Sequence, residues 1–153
     1  MPSDMPSRSH TGFTLVELLV SIFIIGLMLG ISVVSFSNFL RHESVSSDAA
    51  SLAAALREAR SRTLGSIQGL SYGVKIDTDK FTLFPGPDFS ASTAETPILF
   101  GTGVVASTSL SVVLFQRVTG TAVASGTIDI RLSSDSSAKK TVVIQGTGLV
   151  SVQ

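Results

Sequence analysis

The sequence predicts an α+β protein: a long N-terminal helix, transmembrane and then amphipathic, packed on an antiparallel β-sheet. Three observations predict it. No charged side chain occurs from Leu18 to Leu40. From Val45 onward apolar residues recur at alternating steps of four and three, the spacing of one helix face. From Ser71 the period changes to two, with turn residues punctuating short runs.

The first element is the apolar one. Leu18–Leu40 is long enough for about 34 Å of helix at ~1.5 Å per residue, against a bilayer hydrocarbon core of about 30 Å. A helix apolar on every side has little use in a globular core this small, so residues 13–40 are expected to cross a membrane. Glu17, at the front of the run, is the anomaly. A carboxylate costs about 2.5–3.5 kcal/mol at the bilayer centre and less toward the interface. A cation created nearby would offset that cost. Cutting between Gly12 and Phe13 would release an α-amino group four residues before Glu17, a neighbouring position on a helix, in the same chain or an adjacent copy. Further along, Gly26 and Gly30 form a G-x-x-x-G. That spacing lets helix backbones approach closely in lipid, although Gly is also simply frequent in membrane helices. Both glycines are points where the helix could bend.

These residues carry a resemblance. A short polar leader ending in Gly12, then Phe13-Thr14-Leu15-Val16-Glu17-Leu18-Leu19-Val20 and an apolar helix, resembles the class III signal of type IV pilins and type II secretion pseudopilins. The resemblance implies cleavage after Gly12 by a membrane prepilin peptidase, N-methylation of Phe13, and Glu17 as the fifth residue of the mature chain. An ordinary secretory signal would need a more positive n-region, a shorter apolar core and a small-x-small cleavage site. Arg8 is the only fixed cation ahead of the run. A simple signal anchor is the other alternative, and neither explains Glu17.

Residues 1–12, polar and rich in Ser and Pro, are expected to be a cytoplasmic leader. Arg41, His42 and Glu43 mark the far interface, with His42 solvated there. Residues 41–65 continue the helix: Val45, Ala49, Leu52, Leu56, Ala59 and Thr63 share one face, the Ala-rich stretch favours helix, and Gly65 is the expected stop. Residues 66–153 form the head domain. Tyr72–Ile76 and Phe81–Phe84 read as a hairpin around Asp77-Thr78-Asp79-Lys80. Asp77 and Asp79 are turn residues, since a calcium site needs about 6–8 oxygen ligands. Pro85 opens a long loop to about Thr96. Strands are then expected at Ile98–Phe100, Val104–Val105, Leu110–Phe115, Gly126–Leu132, Thr141–Gln145 and Leu149–Val152. Gly146-Thr147-Gly148 is the last hairpin turn. Short linkers imply antiparallel neighbours.

The chain has 11 basic and 11 acidic residues, formal charge zero and no cysteine. Cysteine zinc sites and thiol nucleophiles are therefore excluded, and no broad charge excess points to nucleic acid or anionic lipid. His10 and His42 both precede the head, which leaves no histidine there for a Ser-His-Asp arrangement. No G-x-S-x-G, P-loop or H-E-x-x-H occurs. The expectation is a non-enzyme with no catalytic residues, no metal and no cofactor.

The head carries a second resemblance. Leu56-Arg57-Glu58-Ala59-Arg60, a Phe-containing stretch before Gly120, Ser125-Gly126-Thr127-Ile128, Val142-Val143-Ile144 and a final Gly-x-Val hairpin are similar to the GspH/FimT-type minor pseudopilins. That family often has Gly-Arg-Val in the last hairpin, and some members are implicated in DNA uptake; here the hairpin reads Gly148-Leu149-Val150. Lys139 and Lys140 offer a weak phosphate attraction at most and read better as a solvated turn. The two resemblances imply a structural subunit of a type IV pilus, a type II secretion pseudopilus or a competence pseudopilus, major or minor, with the second leaning to minor. Its partners would be the prepilin peptidase, other pilin subunits, an inner-membrane assembly platform and, before assembly, membrane lipid. It would begin in the bacterial cytoplasmic membrane with its head outside the cytoplasm. The alternative is a pilus-tip module that binds DNA or another ligand.

Overall fold

A computed structural model describes residues 12–92 and 96–153, without the side chains of residues 32–41 and 91. The leader up to residue 11, with Arg8 and His10, lies outside the described residues, as do the side chain of Arg41 and part of the loop before Thr96. The chain divides into two compact units, Met1–Asn38 and Phe39–Gln153, and each is described by itself.

In the first unit the described residues form the start of α1, Leu15–Leu64. Thr14 begins it. Its Oγ1 accepts the Glu17 backbone N–H at 3.3 Å and its carbonyl accepts that of Leu18 at 3.2 Å. This is one half of a Thr-x-x-Glu capping box, which satisfies a donor the first helical turn would otherwise leave free. Ser21 donates its hydroxyl back to the Glu17 carbonyl at 2.7 Å.

In the second unit α1 presents the face its periodicity predicts. Val45, Ala49, Leu52, Leu56, Ala59 and Thr63 are all buried, and Ala53 and Ala55 widen the stripe. The helix ends at Leu64, but Gly65 is not the left-handed residue: Ser66 is, at φ 47°. Gly65 donates to the Ser61 carbonyl at 2.9 Å and so completes one more turn. Gln68, in the short turn Ile67–Gly69, is left-handed too.

Eight strands follow: β1 Tyr72–Ile76, β2 Lys80–Pro85, β3 Thr96–Leu99, β4 Val104–Thr108, β5 Val112–Leu114, β6 Gly126–Leu132, β7 Lys139–Ile144 and β8 Val150–Val152. Every pairing is antiparallel, and the strands form two sheets where one was expected, ordered β3-β2-β1-β5 and β4-β6-β7-β8. Both sheets contribute to one core with α1, through Val74, Phe81 and Val113 from the first and Ile128, Ile130 and Val142 from the second.

The hairpin around residues 77–80 forms as expected, closed by the Asp77 N–H on the Lys80 carbonyl at 2.9 Å. Several strand boundaries differ from expectation, β4 running on to Thr108 and β3 starting at Thr96 among them, and three have local reasons. Phe100 leaves β3: its N–H turns to the Asp79 carbonyl at 2.9 Å and its ring packs 5.4 Å from that of Phe81. β5 starts late because Leu110 is held in a turn, its N–H on Thr108 Oγ1 at 2.9 Å. β7 starts early because Lys139 pairs across from Arg131.

Candidate functional site: the N-terminal segment and the far end of the head

The residues expected to carry function lie at the start of the chain. Gly12 and Glu17 are exposed, and Phe13 is 79% exposed. Glu17 lies in the first turn of α1. There the partial positive charge of the helix end favours a carboxylate by roughly 0.3–1 kcal/mol. Gly26 and Gly30 are open: a Cβ added at either would meet nothing within 4 Å. Around them Leu15, Val16, Leu18, Leu19, Ile22, Phe23 and further apolar residues to Ile31 are exposed on all sides.

Among the described residues no helix is long and apolar enough to cross a membrane. Leu15–Ile31, where the described side chains stop, covers about 26 Å at ~1.5 Å per residue. The uncharged run that motivates a span over 13–40 continues to Leu40, through side chains outside the described set.

Sequence reasoning missed the role of Thr14. A Thr three residues before a Glu, just ahead of a helical run, is a start signal legible without coordinates. It means that the Glu17 backbone is held on the capped first turn of α1.

In the head, three of the segments that carry the second resemblance meet at one place near the end of α1: the Leu56–Arg60 stretch, the loop at Gly120 and the last hairpin. Arg57 Nη2 donates to the Val150 carbonyl of β8 at 2.9 Å, and Arg60 Nε to the Gly120 carbonyl at 2.9 Å. Gly148, at φ 81°, passes so close that a Cβ there would sit 2.0 Å from the Gly120 oxygen and 2.8 Å from Arg60 Nε. Only glycine fits that crossing. A shallow groove of about 350 Å³ lies alongside, lined by Arg57, Arg60, Leu64 and Leu149. Arg57 and Arg60 enter the sequence analysis only as members of the second resemblance; the folded chain makes them ties between the helix and the last hairpin.

The remaining candidates are occupied by local structure. Asp77 is ion-paired with Lys75 at 3.5 Å and Lys139 lies 3.7 Å from Asp129. Lys140 and His42 are exposed. Among the described residues no group of three or more histidines and carboxylates gathers as a metal cluster would. The Ser137 hydroxyl, and then its backbone N–H, hold the Asp135 carboxyl below the usual carboxylate range. The lowered value means this carboxylate steadies its turn above the ordinary carboxylate pKa and loses that effect as pH falls through the depressed one.

Two comparisons bear on the whole. The prokaryotic N-terminal methylation motif matches residues 7–33, the stretch that holds Gly12, Phe13 and Glu17. The fold is similar to that of the type IV minor pilin FimU of Pseudomonas aeruginosa strain PAO1. Against its P21 crystal form the TM-score is 0.60 at 17% identity, covering 75% of this chain and 92% of that one. Against the P65 form it is 0.54 at 18% identity, covering 71% and 91%. No curated protein sequence matches the chain. The protein therefore has a minor-pilin fold behind a class III signal motif.

Proposed function

We propose that the protein is a structural subunit of a type IV pilus or a related pseudopilus, of the minor kind, assembled through its N-terminal helix after prepilin peptidase cleaves between Gly12 and Phe13 and methylates Phe13. The single observation that carries this reading is the conjunction of the methylation motif over residues 7–33 with a minor-pilin fold in the rest of the chain.

The described part of the first unit exposes apolar side chains from Phe13 to Ile31. Such a surface needs lipid or other helices around it. In this reading residues 13–40 hold the chain in the cytoplasmic membrane, with the head outside the cytoplasm, until assembly. The same surface then packs among neighbouring subunits. Helix association in lipid gains little from the hydrophobic effect, so an inner-membrane assembly platform must supply the work of extraction. Glu17, fixed on its capped turn, pairs with the Phe13 amine of a neighbour and sets axial register. Gly26 and Gly30 allow close approach or bending.

Amino-terminal sequencing of the mature protein tests the assignment. The expected product begins at methylated Phe13, and a filament-borne chain that still begins at Met1 overturns it. Replacing Gly12 by a bulky residue is expected to leave the precursor uncut, visible as a slower-migrating band.

A further inference from the structure

The loop from Gln116 to Thr121 is held firmly. Gln116 N donates to the Thr121 carbonyl at 2.9 Å and Gly120 N to the Gln116 carbonyl at 2.9 Å. Thr121 Oγ1 donates to Gln116 Oε1 at 3.1 Å, and Arg60 fastens Gly120 from the helix. At the apex of this rigid loop stands Val118, at φ 75° and 84% exposed. A β-branched residue in the left-handed region is a genuine outlier, and glycine or asparagine would sit there with less strain. The fold gains no burial in return, because the side chain points into solvent. Strain kept without a folding benefit points to a use outside the chain.

The surroundings say what kind of use. Leu64 and Leu149, 42% and 54% exposed, flank the same knot. Leu64 reaches within 2.9 Å of where a Gly120 Cβ would stand, and both leucines line the groove beside Arg57 and Arg60. Arg117 is exposed next to Val118. Among the described residues none of these three arginines is ion-paired; Arg62, Lys75 and Lys139 each have a carboxylate, and Lys80, Arg131 and Lys140, elsewhere on the strands, do not. Arg57 and Arg60 donate to carbonyl oxygens, which leaves their charge unneutralised, and no acidic residue lines the groove.

We propose that this end of the head is a docking surface for a protein segment that carries a carboxylate between apolar side chains. Three uncompensated guanidiniums call for an anion, and arginine is suited to hold a carboxylate through paired donors. Exposed Val118, Leu64 and Leu149 among them select protein over nucleic acid, since a phosphate backbone gains nothing from aliphatic side chains, whereas apolar anchors and Arg together are what protein interfaces use. The surface belongs wholly to the head, so the proposal stands whether or not the chain enters a filament.

The test uses the full-length chain in its native membrane, with the photo-crosslinker benzoylphenylalanine in place of Leu149. One protein adduct is expected, with a mapped peptide that contains Asp or Glu beside apolar residues. Arg117→Glu and Val118→Gly should each lower its yield about tenfold, and reversing the charge of the mapped carboxylate should restore it against Arg117→Glu. Val118→Gly should at the same time raise the melting temperature of the purified chain, because the strain goes while no packing is lost. An adduct indifferent to both substitutions overturns the proposal. So does a lower melting temperature for Val118→Gly, which would make the valine structural. Retention on duplex DNA that Arg117→Glu abolishes, with no protein adduct, would assign the surface to nucleic acid instead.

Discussion

Thr63 does two jobs through one hydroxyl. It donates to the Ala59 carbonyl at 2.8 Å and accepts the Tyr72 N–H at 2.9 Å, fully buried. It thereby ties the last turn of α1 to the first residue of β1. Thr63→Val keeps the shape but strands the Tyr72 N–H, a loss of about 1–3 kcal/mol. Urea denaturation should show a lower midpoint with an unchanged slope. In the sequence Thr63 was legible only as a member of the apolar face; its bond to Tyr72 required the turn between them. Glu17 is the converse case, conspicuous in the sequence for its charge. The bond that caps the first turn is made by its backbone N–H, whereas the proposed pairing with an amine needs its carboxylate, so Glu17→Gln keeps the first and removes the second. The expected outcome is normal abundance and membrane insertion with impaired incorporation into filaments. Filament yield equal to the parent, measured on sheared fractions, would dismiss the pairing role.

At the scale of elements, α1 is one helix by backbone and two by environment. Val45 to Thr63 packs against the two sheets, while the apolar side chains described from Leu15 to Ile31 are exposed. Leu52 and Leu56 are fully buried at the centre of the packed face. Leu52→Ala should destabilise the head by about 2–5 kcal/mol, the cost of lost transfer energy plus a cavity, read as a shift of the cooperative unfolding transition. A loss below 1 kcal/mol would mean that the helix does not organise the core. The strands illustrate how period and turn chemistry divide the work. β6 begins and ends where alternation and Gly126 place it, because both of its neighbours are antiparallel ladders in register with it. β5 is shorter than its apolar run because the Thr108 hydroxyl captures Leu110. Side-chain to backbone bonds of that kind compete with the ladder and leave no mark in hydropathy.

At the scale of the whole molecule, the described residues of the first unit expose aliphatic and aromatic side chains in one unbroken run, whereas those the head exposes are scattered along its chain. A soluble protein rarely leaves a contiguous apolar surface that large bare. The chain is therefore expected to stay with membranes through a carbonate wash and to leave them only with detergent. The same chain lacking residues 1–38 should be found in the aqueous fraction. Recovery of the full chain in that fraction without detergent would dismiss the anchoring role. The head presents the opposite economy: its two sheets and the second half of α1 bury one shared core, and Arg57 and Arg60, near the end of α1, are tied to backbone carbonyls.

The sequence by itself determined the order of α1 and the strands, the buried face of α1, the β6 strand, the hairpin around residues 77–80 and the methylation motif within residues 7–33. Each of these follows from local periodicity or from a short motif, which neighbouring residues along the chain suffice to specify. Tertiary structure alone decided that the strands split into two sheets, that Arg57 and Arg60 bind carbonyls of distant loops, and that Gly148 must cross Gly120 without a Cβ between them. Those features join residues tens of positions apart. They depend on which backbone oxygens the finished fold brings within reach, and no spacing in the chain encodes that directly.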